Sequence, residues 1–149
     1  MLSLKLIHLI EAHQEQIAAN VIGEIRHHPE MAHFKKLPDA ELRERSQLIL
    51  ENLGDWLSAA REQDLAKRYE VLGKDRFEES IPLHESVRAL AIIKYKMLDF
   101  VHEQGLTRTP LEVYGEEELE RRVGRFFDLL TIHMVRGYET AWRHAARAA

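Results

Sequence analysis

Apolar residues return every three, four or seven positions along almost the whole chain, and no run shows the period of two that a half-buried strand requires. From Leu4 to His28 the residues Leu6, Ile10, Ile17, Val21 and Ile25 share one helical stripe, and His13 lies on it. This pattern predicts an all-α fold. A length of 149 residues suits a single domain, 1–149, which would bury roughly 70% of its unfolded surface without cross-links.

The punctuation divides the chain into about five helices, with long ones at both ends. Pro29 ends the first, and a short crossing through His33 and Phe34 leads to Pro38, after which Asp39 and Glu41 suit the positive end of a second helix. Leu42, Ile49, Leu53, Trp56 and Ala60 continue it at helical spacing. A third helix carries Leu65, Tyr69, Leu72 and Arg76 to about Glu79, weakened by Gly73. Pro82 then forces a corner, since it disfavours helix at Ile81 and suits the first turn of a new one. Leu83, Val87, Leu90, Met97 or Leu98, and Val101 make a fourth helix, with Gly105 as its stop.

Thr109-Pro110-Leu111-Glu112 reads as a capping box with Pro110 at the first helical position. Gly115 is a candidate interruption, and from Glu116 onward Leu119, Val123, Phe126, Leu130, His133 or Met134, Gly137 and Ala141 mark one stripe. Some thirty residues of helix span ~45 Å, more than the width of a domain of this size, so the end is predicted to project or to meet a partner.

With no cysteine, disulfides, thiolate metal sites and cysteine nucleophiles are excluded, and a reducing, cytoplasmic setting is expected. A net charge of −4 argues against nucleic-acid binding, and no apolar run approaches the ~20 residues needed to cross a bilayer. The apolar start, Met1 to Ile10, lacks a small-residue cleavage site and reads as the beginning of helix one.

The stretch from Arg76 to Leu90, Arg-Phe-Glu-Glu-Ser-Ile-Pro-Leu-His-Glu-Ser-Val-Arg-Ala-Leu, together with Leu-Pro-Asp-Ala-Glu-Leu at Leu37 to Leu42, resembles the RsbRD-type N-terminal domain family of stressosome co-antagonists and sensors. The similarity runs from about Ile10 to Gly105, with the final helix agreeing in length and pattern. In two places the chain departs from the family pattern: Ser80 stands where a glycine usually precedes the Ile-Pro pair, and a tryptophan often found late in helix one is missing near Ala19 or Asn20. The resemblance implies a helical, globin-like bacterial regulatory domain without catalytic residues, which pairs with itself and signals to an output domain or downstream signalling protein. No STAS, kinase or helix-turn-helix sequence lies within these residues.

Candidate sites follow from residue type and stripe. Arg76, on an inward stripe, must be paired or must meet an anion, so it is read as an internal ion-pair anchor or a contact for a small-molecule ligand, with His13, His133, Phe126 and Tyr95 as other pocket candidates. His13 and His133, on the inward stripes of helices one and five, form a candidate pH-sensitive pair. Tyr138, Trp142, Ile10 and Ile17 are candidates for a homodimer interface.

The serines lack a nucleophile-elbow context and the glycines are scattered, so neither hydrolysis nor phosphate cradling is expected, and the chain is read as no enzyme and as carrying no cofactor. The rival is a haem or metal sensor using His133, His84 or the Glu24/His27 pair. Acid-x-x-His spacing occurs at Glu24/His27, Glu30/His33 and Asp99/His102, close to the chance frequency for a chain with nine histidines.

Overall fold

The computed structural model describes residues 3–104 and 109–148, and among these every regular element is helical. The expected first helix is two, α1 (Leu4–Ala12) and α2 (Gln14–His27), parted at His13. There the His13 amide reaches the carbonyls of both Leu9 and Ile10, and its Nδ1 also meets the Leu9 carbonyl at 2.9 Å, so the residue closes one helix and opens the next. His28, forced extended by Pro29, ends α2.

The predicted second helix is likewise divided. α3 (Asp39–Leu50) stops before Asn52, whose φ of −126° leaves the helical region, and α4 (Leu53–Trp56) is a single turn. Asn52 and Gly54 are weak helix formers in a segment that depended on continuous propensity. A 3-10 turn at Ala59–Arg61 leads into α5 (Glu62–Glu78).

The Pro82 corner forms as expected, with Pro82 as the cap of α6 (Leu83–Glu103) and not its first residue. Ile81 donates to the Arg76 carbonyl at 3.0 Å and Ser80 to that of Phe77 at 3.0 Å, the paired bonds of a Schellman end. That end requires a left-handed residue, and Ser80 supplies it at φ 59°. The departure noted in the sequence is therefore a backbone strain, with a side chain where glycine would be free. The Gly105 stop lies outside the described residues.

α7 (Pro110–Ala148) is one continuous helix of 39 residues, ~58 Å long. Its capping box is present: Glu112 donates its amide to Thr109 Oγ1 at 3.2 Å, and the Thr109 amide donates to Glu112 Oε2 at 3.4 Å. Gly115 is buried within α7 and does not interrupt it.

α5 lies along α7, α6 packs on α7, and α2 bridges α3 and α6. The α5/α7 crossing is unusually close. A Cβ built on Gly73 would lie 2.0 Å from the Met134 carbonyl oxygen, and one on Gly137 would lie 1.9 Å from that of Glu70, so both glycines are there to let two backbones touch. The core contains Ile10, Ile17, Val21, Met97, Leu119 and Leu130, and Met134, not His133, takes the inward place on α7. No described helix is long and apolar enough to cross a membrane.

Candidate functional site

Where α2, α3, α5, α6 and α7 converge, their apolar faces fail to close, leaving a cavity of about 180 Å³. Its walls are Val21 and Ile25 from α2, Leu42 and Ile49 from α3, Leu65 and Leu72 from α5, Leu90 and Ile93 from α6, and Phe126 and Met134 from α7. Leu48, Trp56 and Arg68 border it at the surface side: Leu48 is 58% exposed, and Trp56 donates its indole N–H to the Leu48 carbonyl at 2.9 Å. Two guanidiniums lie near the Trp56 ring, Arg61 at 4.4 Å and Arg68 at 5.2 Å from its centroid.

A polar edge breaks the apolar lining. Arg76, 6% exposed, donates to Glu79 at 3.0 Å, and Arg45 from α3 pairs with Glu41 and reaches Glu79 at 3.7 Å. Burial, and next the neighbouring Arg45 charge, lower the Arg76 pKa, opposed by Glu79, Glu41 and Asp75. Tyr69 also lines the cavity, and burial pushes its phenol above the ordinary value, so it is neutral. Two buried groups here are unsatisfied among the described residues: Ser86 Oγ, on a residue 2% exposed, and Arg45 Nη1.

The α6 wall is pinned from outside the cavity. Glu85, 2% exposed in the first turn of α6, accepts from the His33 amide at 2.9 Å and the Phe34 amide at 3.2 Å, and meets His33 Nδ1 at 2.6 Å. Burial pushes its carboxyl up, and the Phe34 amide with the His33 ring and amide outweigh it, leaving the pKa below the ordinary value.

Of the pocket candidates, Arg76 and Phe126 line this cavity, and Arg76 is paired internally. His13, Tyr95 and His133 do not. His13 is exposed at the α1/α2 break, its ring 5.2 Å from that of Phe100, because the break turns it off the inward stripe. Tyr95 is 57% exposed beneath Lys94, and His133 is bonded to Glu70 at 3.0 Å on the flank of the α5/α7 crossing. His13 and His133 are therefore not a facing pair.

Among the interface candidates, Trp142 is 58% exposed, whereas Tyr138 is half-buried with its ring edge-on to Phe77 at 5.4 Å. Ile10 and Ile17, expected at an interface, are wholly buried in the core. His84, Glu24 and His27, named for the rival haem or metal reading, are all exposed, and His27 Nδ1 meets the Gly23 carbonyl at 2.8 Å. Among the described residues no three His, Asp or Glu side chains gather to hold a metal ion, and no histidine lines the cavity.

Sequence reasoning missed Arg45, Ser86 and Glu85. Ser86 was the most accessible of these, since it stands four before Leu90 on the stripe that continues through Ile93 and Met97. Glu85 follows Pro82 at the third position of the new helix, where a carboxylate finds free amides and a favourable dipole.

Residues 15–149 match the family described as RsbT co-antagonist protein rsbRD N-terminal domain, and the chain belongs to it. The match includes all of α7, beyond the segment where the sequence motifs lie. No curated protein and no solved structure matches the chain.

Proposed function

We propose that this member of the RsbT co-antagonist rsbRD N-terminal domain family is a non-enzymatic regulatory domain of bacterial stress signalling, working in the cytoplasm as one unit over residues 1–149. Occupancy of the cavity biases the setting of α7, and α7 passes that bias to a second copy of the chain and to a downstream signalling protein. The observation that carries this reading is the cavity's place: α5 and α7 both wall it, and the same two helices are locked backbone to backbone at Gly73 and Gly137. A change in the cavity is then felt by α7 as a rigid body.

Support for self-pairing comes from α7 itself. Ile132 and Trp142 are 55% and 58% exposed, and with the half-buried Val135 they recur at three and seven, the spacing of a helix-pairing seam. Sedimentation of the whole chain tests it. A dimer is expected, with Ile132→Asp shifting it to monomer and leaving the melting profile little changed; a monomeric wild-type protein, or a dimer indifferent to Ile132→Asp and Trp142→Ala, would remove self-pairing through α7.

A further inference from the structure

The unsatisfied groups at the cavity edge specify more than its volume does. The space is close to that of an engineered apolar cavity of roughly 150 Å³ that accepts benzene, so a ligand of about six to eight non-hydrogen atoms fits. Its body must be apolar, given the side chains around it. Its head must answer Ser86 Oγ and Arg45 Nη1, both buried and both able to donate.

Charge then decides between heads. The Arg45 and Arg76 guanidiniums are already met by Glu41 and Glu79, with Asp75 adding a further negative charge beside them, and Arg68 is met by Asp64 at 3.3 Å. Spare hydrogen-bond donors remain where spare positive charge does not. A ligand carboxylate would be a surplus anion among these acids and would be desolvated without a counter-charge. A neutral carbonyl oxygen satisfies the donors and adds no charge.

We infer that the cavity is a binding site for a small neutral molecule with an apolar body and one carbonyl-type acceptor, held by Ser86 Oγ and Arg45 Nη1. This assignment rests on the regulatory reading of the cavity given above. Binding places the acceptor at the α3/α6 edge and the apolar body between Leu90, Phe126 and Met134, against α7.

Three ring compounds of seven or eight non-hydrogen atoms with different heads test it on the full chain: cyclohexanone, methylcyclohexane and cyclopentanecarboxylate. Titration is followed at pH 7 by the methyl resonances of Met134 and Ile93 in the wild-type chain. Cyclohexanone is expected to bind saturably, about tenfold tighter than either of the others, the scale of one or two hydrogen bonds. Ser86→Ala removes a hydroxyl with no partner among the described residues, so the variant folds, and it should weaken cyclohexanone by about fivefold while leaving methylcyclohexane unaffected. Arg45→Lys, which keeps the charge but replaces the two-nitrogen fork by a single ammonium that cannot stand both at Glu41 and at the Nη1 position, should act in the same direction.

Equal binding of the alkane, tighter binding of the carboxylate, indifference to Ser86→Ala, or no saturable binding by any of the three would overturn the assignment. Sedimentation of the same samples separates the two readings. Failure of binding with α7 self-pairing intact discards the ligand class alone. Saturable, Ser86-dependent binding that leaves the oligomeric state and partner contact unmoved upholds the ligand class and discards its regulatory role.

Discussion

At Gly73 and Gly137 helices α5 and α7 touch backbone to backbone, whereas within one turn, at Leu72, Arg76 and Met134, the same two helices border empty space. The contrast has one cause. Two glycines remove the side chains that normally set helix separation, and what draws the helices together there cannot also fill the wedge that opens toward α3 and α6. A seam without slack beside a void with slack makes a part that moves as one body next to a part that can be occupied.

The sharpest way to break the comparison is to add a methyl group to the seam. Gly73→Ala would place its Cβ 2.0 Å from the Met134 carbonyl oxygen, which is backbone and cannot swing aside. A loss of about 3 kcal/mol or more in urea unfolding is expected, at the upper end of overpacking costs. A loss under ~1 kcal/mol would mean that α5 and α7 can part, and the rigid coupling would go with it.

The void has its own fixed point at Glu85. Glu85→Gln should lower stability by about 2 kcal/mol at neutral pH, because it loses a charge-assisted acceptor for two amides and the His33 ring. The sign with pH follows from the depressed pKa. The carboxylate's contribution is present above its ordinary value of 4.5 and is lost as pH falls through the lower folded value, so the variant's acid limb should be flatter than that of the wild type. Urea melts at neutral pH and at a series of points below about pH 5 check both signs.

How far these regions were legible in the sequence differs by the kind of fact involved. The Thr109/Glu112 box, the Pro29 stop and the burial of Arg76 follow from local chemistry or from one stripe, and they were readable. The α1/α2 break was not, because it depends on His13 bonding one turn back in place of continuing a pattern that remains helical on both sides. The cavity was also hidden: periodicity tells which face of each helix turns inward, and a void is a misfit among five such faces. Gly73 was visible only as a weak helix former and Gly137 only as one position on the stripe of the last helix, since a close crossing is a property of the pair.

Ser80 joins the two regions, as the corner between the seam helix α5 and the cavity wall α6. Its φ of 59° favours glycine, so Ser80→Gly should raise stability by about 1 kcal/mol, read as a higher denaturation midpoint with unchanged slope. Enlarging Ala89, which lines the void, should have the smallest effect and the opposite sign from Gly73→Ala. Ala89→Leu adds carbon where there is room and is expected to be neutral or stabilising by under ~1 kcal/mol in the same melts.

The great length of α7 turns the Gly137 crossing into a fulcrum with unequal arms. Some twenty-seven residues lie on its amino-terminal side and eleven on the other, so a 5° tilt moves the Pro110 end by ~3.5 Å and the Ala148 end by ~1.4 Å. Displacement too small to disturb the packing at the pivot is thus magnified at the extremities, and most of all at the end that begins with the Thr109 cap.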